Sequence, residues 1–259
     1  LTFTSIPIIN HLHNNSPWLK KYSIYTLLYA FCCYRFNKIL TVSDSVMSEF
    51  VFGSQFKSKT KVVGNPFNAD KVRSLADIAA INDSSDIIFL GRLPPQKNIF
   101  LLLDIIKILT KRFPELKVAI VGDGELKNRF IEKIAELELE KNIKMYGFLE
   151  NPYGLIKNSK VLCMPSKWEG FGLAAVEALS LSIPVVCSGC GGLKNLIDDS
   201  CGCICGYDTQ KYAAEITKIL LNKEYQEKKK ENALKRARAL SNIDSYTNMI
   251  KGIYQNVLS

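Results

Sequence analysis

The 259-residue chain is most informative first in what it lacks. No apolar run approaches the ~20 residues needed to cross a bilayer, so a bundle of membrane-spanning helices is excluded. The opening LTFTSIPIIN has no basic start, no long apolar core and no small-residue cleavage site, and reads as something other than a secretory leader. It also lacks an initiating methionine, and the expectation is a chain that begins partway through a longer protein. Histidine is nearly absent, with two residues, His11 and His13. There is no Asp-x-Asp metal motif, no internal repeat and no low-complexity tract.

Basic residues are plentiful. Thirty-four Lys and Arg against 25 Asp and Glu give a formal net charge of +9, which favours an anionic partner: a nucleotide, a nucleic acid or a phospholipid surface. The basic residues are scattered and no nucleic-acid motif appears, so nucleic-acid binding is not expected. Hydrophobic residues make up 47% of the chain, enough for a sizeable core in one large domain or two modest ones. The 8 cysteines, in a lysine-rich chain without a secretion signal, read as reduced thiols of a cytoplasmic protein. Cys187 and Cys190 form a CxxC, with Cys201, Cys203 and Cys205 close behind, so a structural zinc site has to be weighed. The CxC spacing is awkward for it, and Cys187 closes the apolar run IPVVC. Buried or incidental thiols are the better reading, and no metal is assigned.

From about residue 86 short β-rich runs alternate with amphipathic helical stretches. DIIFLG, KVAIVGDG, NIKMYGF, KVLCMPS, IPVVCSG and GCICGY read as strands. Between them NIFLLLDIIKILTKRFP, ELKNRFIEKIAELEL, PYGLIKNS and the stretch from Gly172 read as helices, followed by charged helices at about 209–222 and 224–240. This alternation predicts a doubly wound parallel α/β sheet whose ligand lies beyond the carboxyl ends of its strands. Residues 1–66 differ. SIPIIN and KILTVS are strand-like, KVVGNPF closes the region with a turn signal, and the aromatic WLKKYSIYTLLYAFCCYRF lies between. The domain reading is therefore 1–66, a partial N-terminal α/β domain; 67–241, a Rossmann-like domain; and 242–259, a C-terminal helix packing back on the N-terminal domain.

Three stretches carry chemistry. In PSKWEGFGLAAVEAL, Glu177 has Leu173, Ala174, Ser180 and Leu181 as its helical neighbours, an apolar surrounding for a carboxylate. It either lies on a solvated edge, pairs with a nearby lysine, or holds a ligand. GRLPPQKN joins a strand end to a helix start, where free backbone N–H groups favour an anion, and Arg92 and Lys97 add two full charges. Two solvated loop cations are the bland alternative. VGDGE has a GxG but no third glycine, and MYGF stands where an acidic residue would follow the next strand, so NAD binding is a poor reading.

Taken in order, FLGRLPPQKN, VGDGE, MYGF, VLCMPSKWEGFGLAAVEAL and IPVVCSGCGG resemble the donor-binding domain of retaining glycosyltransferases of family four, which have the GT-B fold. The spacing from Glu169 to Glu177 matches that family's E-x7-E motif. The resemblance implies a transferase that moves a sugar, with retention, from a nucleotide-diphosphate donor, first of all a UDP-sugar, to an acceptor hydroxyl on a lipid-linked sugar or growing surface glycan. It implies that Gly91, Arg92, Lys97, Gly122 and Ser166 line the donor diphosphate and sugar, and that Tyr146, Gly147 and Phe148 lie along the base. Gly170, Phe171, Gly172 and Leu173 would form the turn nearest sugar and phosphate, Glu177 would hold the ribose and Glu169 would face the anomeric centre. A histidine, His11 or His13, would contact the donor sugar from the acceptor side, unless both are only structural. No cofactor or metal is implied, because two cations hold the diphosphate. One departure is GGLKNLI, where Lys194 and Asn195 stand near a place the family often gives to glutamate. Two other readings stay open: a non-catalytic nucleotide-sugar-binding fragment, and a GT-B sugar-nucleotide epimerase. A complete enzyme of this kind needs two domains of ~150–200 residues, so this chain is expected to bind donor with little or no turnover. Region 18–38, aromatic and flanked by Lys20, Lys21, Arg35 and Lys38, is expected either to pack as an ordinary helix or to touch a membrane surface peripherally.

Overall fold

A computed structural model describes residues 6–81 and 83–258. It divides into two compact units. The first comprises residues up to Phe67, the short segment Trp168–Phe171 and the chain from Asn242 onward; the second comprises Asn68–Lys167 and Gly172–Ser241.

The first unit is built on a 3-stranded sheet of β1 (Ile9–Leu12), β2 (Lys38–Thr41) and β3 (Thr60–Val62), all parallel and in that order. Parallel neighbours need crossovers. The first is α1 (Ile24–Arg35), started by a capping box in which Ser23 Oγ accepts from the Thr26 N–H and Thr26 Oγ1 accepts from the Ser23 N–H. The second is the short α2 (Asp44–Ser48) with a 3-10 turn at Gly53–Lys59. One side of α1, including Ala30 and Cys33, joins Leu19, Phe36, Ile39, Met47, Phe50 and Phe56 in a small core. The opposite side, with Ile24, Tyr25, Leu28, Phe31 and Tyr34, is exposed and apolar. The C-terminal helix, which we label after the second unit, belongs here too, tied by the Asn242 N–H to the Phe67 carbonyl at 3.1 Å.

The second unit opens with α3 (Ala69–Asp77), capped by Asn68, and continues β4 (Ser85–Leu90), α4 (Ile99–Thr110), β5 (Val118–Val121), α5 (Lys127–Glu136), β6 (Ile143–Gly147), α6 (Tyr153–Lys157) and β7 (Ser159–Met164). It closes with α7 (Leu173–Ser180), β8 (Val185–Cys187), α8 (Leu193–Leu196), β9 (Gly202–Ile204), α9 (Thr209–Leu221) and α10 (Lys223–Leu240); α11 (Ile243–Leu258) is the helix of the first unit. The sheet order is β6-β5-β4-β7-β8-β9, parallel throughout. Helices cover both faces, so β5 is buried at every position, as expected of a parallel sheet strand. Ile87, Phe89, Ile105, Ile120, Val161 and Tyr212 anchor the core. The chain runs outward from β4 to β6, then returns to place β7 on the other side of β4. That reversal makes a switch point between the carboxyl ends of β4 and β7.

The structure departs from the sequence reading in the first unit. The first strand lies at Ile9–Leu12 rather than over SIPIIN, whose Ser5 is outside the described residues; His11 is therefore in the strand and only His13 follows it. KVVGNPF contains the end of β3 before its turn at Gly64, and α2 and α3 were not legible as elements. These pieces are too short for periodicity to mark them.

Lys229 of α10 is the buried lock of the second unit. It is 4% exposed, donates to the carbonyls of Asp199 at 2.7 Å and Gly202 at 2.6 Å, and pairs with Glu215 at 3.4 Å. Tyr225 donates to the same Glu215 at 2.7 Å. Breaking a buried pair from one side strands the other charge. Lys229→Met is expected to lower unfolding stability by about 3 kcal/mol, read by urea denaturation; a change within ordinary surface-mutation scatter would show that the pair is not a lock.

Candidate functional site

The rim beyond β4, β5 and β6 is made of backbone. Gly91 follows β4 at φ 148° and donates to the Val121 carbonyl at 3.0 Å. Gly122 follows β5 at φ 137° and donates to the Gly147 carbonyl at 2.7 Å. A Cβ on Gly122 would stand 1.9 Å from the Gly91 oxygen, which no side chain tolerates. The loop after β4 is stitched to the loop after β5: the Leu93 N–H donates to the Asp123 carbonyl and the Leu126 N–H to that of Leu93.

Over this floor lies Lys97. Pro94 and Pro95 set up a 3-10 turn at Pro95–Lys97, Asn98 takes a left-handed conformation and α4 starts behind it. The fold of this loop lays the lysine back on Gly91, so that a Cβ there would meet Lys97 Cε at 3.0 Å and Nζ at 3.4 Å. Arg92, on the same loop, is exposed. On the β7 side of the switch point, the Lys167 N–H donates to the Gln96 carbonyl at 2.8 Å. Ser166 is buried, and its carbonyl accepts from Ser188 Oγ at 2.6 Å. The structure thus brings Gly91, Lys97, Gly122, Gly147 and the Ser166 turn together by direct contacts.

Glu177 lies mid-way along α7 and is half-buried. Its partner is neither a lysine nor bulk water alone. Tyr153, at the start of α6, donates its hydroxyl to Glu177 Oε1 at 3.2 Å. Burial raises the Glu177 carboxyl above its usual range and the tyrosine bond only partly offsets this. The Tyr153 hydroxyl is pushed to about 12 by burial and then by the neighbouring carboxylate, so it remains a donor. Tyr153 was missed by sequence reasoning; nothing in PYGLIKNS marks it, since its partner is 24 residues away.

The base-side residues separate. Phe148 is 79% exposed and Gly147 has open space where a Cβ would go. Tyr146 is directed elsewhere: its hydroxyl donates to Asp83 at 2.7 Å, beside Lys144 on the same carboxylate at 2.5 Å. Asp83 precedes β4, so this side chain runs to the amino end of the sheet, away from the rim.

The segment Trp168–Phe171 belongs to the first unit. Glu169 is buried, and a Cβ on Gly170 would stand 2.1 Å from the His13 carbonyl. Ser43 Oγ, at the end of β2, donates to the Gly170 carbonyl at 2.8 Å. Gly172, at φ 103°, heads α7 in the second unit, where a Cβ would meet Leu193 Cδ2 at 2.6 Å; Leu173 follows it, exposed. The two glycines are therefore required by packing, one in each unit, rather than only by a ligand. His13 is exposed; His11 sits with Nε2 3.3 Å from the Tyr254 hydroxyl, and burial, then the proximity of His13, lowers its basicity.

All 8 cysteines are free thiols. Cys163 and Cys187 are raised in pKa by burial, the latter to about 12, which opposes the thiolate form that zinc needs. Among the described residues no group of three or more His, Cys, Asp or Glu is disposed to hold a metal ion. Among the same residues no helix is long and apolar enough to cross a membrane.

Solved structures share this architecture. HepE of Anabaena, in complex with UDP and glucose, superposes with a TM-score of 0.82 at 21% identity, over 96% of this chain and 71% of that one. S. aureus TarM gives 0.79 at 18% identity, over 96% and 50%. These are GT-B glycosyltransferases, and the α/β fold with its parallel sheets is of that class. The chain belongs to the glycosyl transferases group 1 family, whose model matches residues 72–236. An uncharacterized glycosyltransferase of Methanocaldococcus jannaschii is 35% identical over 167 residues, 61% of this chain and 41% of that protein. A Campylobacter jejuni protein is 28% identical over 243 residues, 92% of this chain and 64% of its own length. It is named an N-acetylgalactosamine-N,N'-diacetylbacillosaminyl-diphospho-undecaprenol 4-alpha-N-acetylgalactosaminyltransferase. The chain thus spans less than two thirds of these relatives.

The raised carboxyl gives a stability test. A carboxyl whose folded pKa lies above its unfolded value loses stability as pH rises through the unfolded value toward the folded one. Glu177→Gln, which keeps an acceptor for Tyr153 and does not ionise, is expected to gain stability relative to the parent as pH rises above the ordinary carboxyl range, as measured by thermal unfolding. A variant whose difference from the parent stays flat over that rise would contradict the assignment.

Proposed function

We propose that the chain is the donor-binding part of a glycosyltransferase that moves a sugar from a nucleoside-diphosphate donor, a UDP-sugar, to an acceptor hydroxyl with retention. The observation that carries this is Lys97 laid over Gly91 at the switch point, on a rim that glycines keep free of side chains. A diphosphate against that rim meets the Lys97 ammonium, with Arg92 on the same loop and no side chain at Gly91 or Gly122 to block its approach. Charge that develops on it as the anomeric C–O bond breaks is then met by groups already in place. The new bond forms from the acceptor oxygen to the anomeric carbon, and the acceptor proton leaves with the diphosphate. In this reading no divalent metal is required, because the two cations balance the diphosphate.

Glu177 accepts the ribose hydroxyls, a task for a carboxylate held ready by Tyr153. The base lies along the Gly147–Phe148 backbone rather than on the Tyr146 ring. Glu169 is the carboxylate we assign to the donor sugar. His13 is favoured over His11 as its companion, since His13 packs its backbone on Gly170 while His11 is engaged with Tyr254. HepE, solved with UDP and glucose, supports a UDP-sugar donor, and the name of the Campylobacter relative supports a lipid-linked acceptor.

One titration series separates these roles. Lys97→Ala and Arg92→Ala should narrow the affinity gap between UDP and uridine, whereas Glu177→Gln should weaken both by about tenfold to a hundredfold, the loss of a charged hydrogen bond. Calorimetry that finds equal losses of UDP and uridine for the lysine variant would sink the diphosphate role.

A lipid-linked acceptor needs the enzyme at a membrane, here its cytoplasmic face. The exposed side of α1 suits it: Ile24, Tyr25, Leu28, Phe31 and Tyr34 form one apolar stripe, Tyr22 is 78% exposed beside it, and Lys21 and Lys38 flank it. Aromatic side chains seat at the interface while each basic residue adds roughly 1 kcal/mol near anionic lipid. The full-length protein should float with phosphatidylglycerol vesicles and much less with phosphatidylcholine alone. Lys20→Glu with Lys21→Glu should abolish the difference; flotation indifferent to lipid charge or to that pair would defeat the assignment.

A further inference from the structure

β9 brings two of the chain's thiols to one face. Cys203 lies in the strand and Cys205 just past its end, where the Cys205 N–H still pairs with the Cys187 carbonyl at 2.8 Å. Residues two apart on extended chain point the same way, and here the Cys205 thiol donates to Cys203 Sγ at 3.8 Å. Two residues of strand span about 6.4–6.8 Å, inside the ~4.4–6.8 Å between α-carbons that a disulfide bridges. Other thiols of this unit are placed differently. Cys163, Cys187 and Cys201 are fully buried, and Cys201 is engaged with the Asp198 carbonyl.

The surroundings make the two sulfurs unequal. Cys203 is half-buried and open to a small solute, while Cys205 is 4% exposed. Two ammonium groups bracket Cys203: Lys229 donates to the Gly202 carbonyl at 2.6 Å and Lys211 to the Ile204 carbonyl at 2.8 Å. The bond from Cys205, and then those two lysines, lower the Cys203 pKa against the opposing effects of burial and the Glu215 charge. Cys205, as the donor in that bond and by burial, is raised and keeps its proton. An accessible thiolate beside a protonated thiol is the pairing of an attacking and a resolving cysteine. Zinc does not account for the pair, because among the described residues no group of three or more His, Cys, Asp or Glu is disposed to hold a metal ion.

We propose that Cys203 and Cys205 form a modification site, a dithiol that hydrogen peroxide closes reversibly to a disulfide. The Cys203 thiolate attacks one peroxide oxygen. The O–O bond breaks, and the second oxygen leaves as hydroxide and takes up the proton that Cys203 gave off. Cys205 then attacks the sulfur of the Cys203 sulfenic acid, the S–O bond breaks, and the departing hydroxide takes the Cys205 proton. Two thiols are oxidised and one peroxide is reduced to two waters. The test treats the whole chain with a small excess of hydrogen peroxide, alkylates the remaining thiols in denaturant with N-ethylmaleimide and maps them by mass spectrometry. Two of the 8 thiols should escape alkylation, both in the tryptic fragment 195–211, and dithiothreitol should restore them. Fragmentation that finds 203–205 closed as a ring identifies the bridge in the parent protein itself, however the variants fold. Cys201→Ser should bridge as the parent does, whereas Cys203→Ser and Cys205→Ser should each show no bridge while melting near the parent. The proposal is overturned if all 8 thiols stay open to alkylation, if the bridge joins Cys190 or Cys201 instead, or if a bridge persists in Cys203→Ser. A Cys203 that stops at the sulfinic acid with Cys205 still free refutes it as well.

Discussion

The contact between the Gly91 carbonyl and the α-carbon of Gly122 is the constraint on which the rest of the second unit's rim depends. It is a backbone-on-backbone approach, with no room for a methyl group at 122. Because it is so close, the loops after β4 and β5 can be joined by main-chain bonds at Leu93 and Leu126, and α4 starts at a fixed place behind them. Lys97 then has one surface to lie on, which is Gly91. Remove the glycines and the lysine loses its floor before any ligand is considered. The shape of the rim is thus set by what the sequence leaves off: without side chains at 91, 122 and 147, the strand ends are bare backbone beneath the Lys97 side chain.

Glu177 shows the opposite economy. A half-buried carboxylate with a single tyrosine partner is an unfavourable thing to keep ionised, and its raised pKa states that directly. Lys229 provides the comparison within the same unit. It too is buried, but two carbonyls and Glu215 surround it, so its charge is satisfied by the fold itself. The difference separates a structural charge from one held for something else. On the proposed function, the stability given up at Glu177 is what a ligand bringing hydroxyl donors would restore.

Much of the second unit was legible because its signals are local. The alternation of β-rich runs and helical stretches fixed the order of elements, and the glycines at strand ends marked the rim. The apolar neighbours of Glu177 marked an unusual carboxylate, though not whether it was solvated, paired or held for a ligand. What escaped were relations across long sequence distances. Tyr153 reaches Glu177 from another helix, and Tyr146 is pulled to Asp83 from the amino end of the sheet. The first unit was harder still, since strands of three or four residues and a five-residue helix carry no period to read.

The spacing between Glu169 and Glu177 was visible, but its physical meaning was not. A turn of the form EGFG reads as glycine for flexibility or for close approach of a ligand. The contacts assign each glycine to a separate task. Gly170 is small because the His13 carbonyl occupies its side-chain position, and Ser43 fixes its carbonyl, both within the first unit. Gly172 is small because Leu193 lies against it and because its φ of 103° is closed to other residues, both within the second. The four residues Trp168–Phe171 are therefore packed as part of one unit while the helix they lead into is packed as part of the other. One carboxylate of the pair is placed by each. Substitution at either glycine would act first on the packing of its own unit, so a loss of activity there is not by itself a sign of lost ligand contact. Glu169 is itself buried and Glu177 is held by Tyr153, so at the glutamates too a stability measurement has to stand beside any measurement of function.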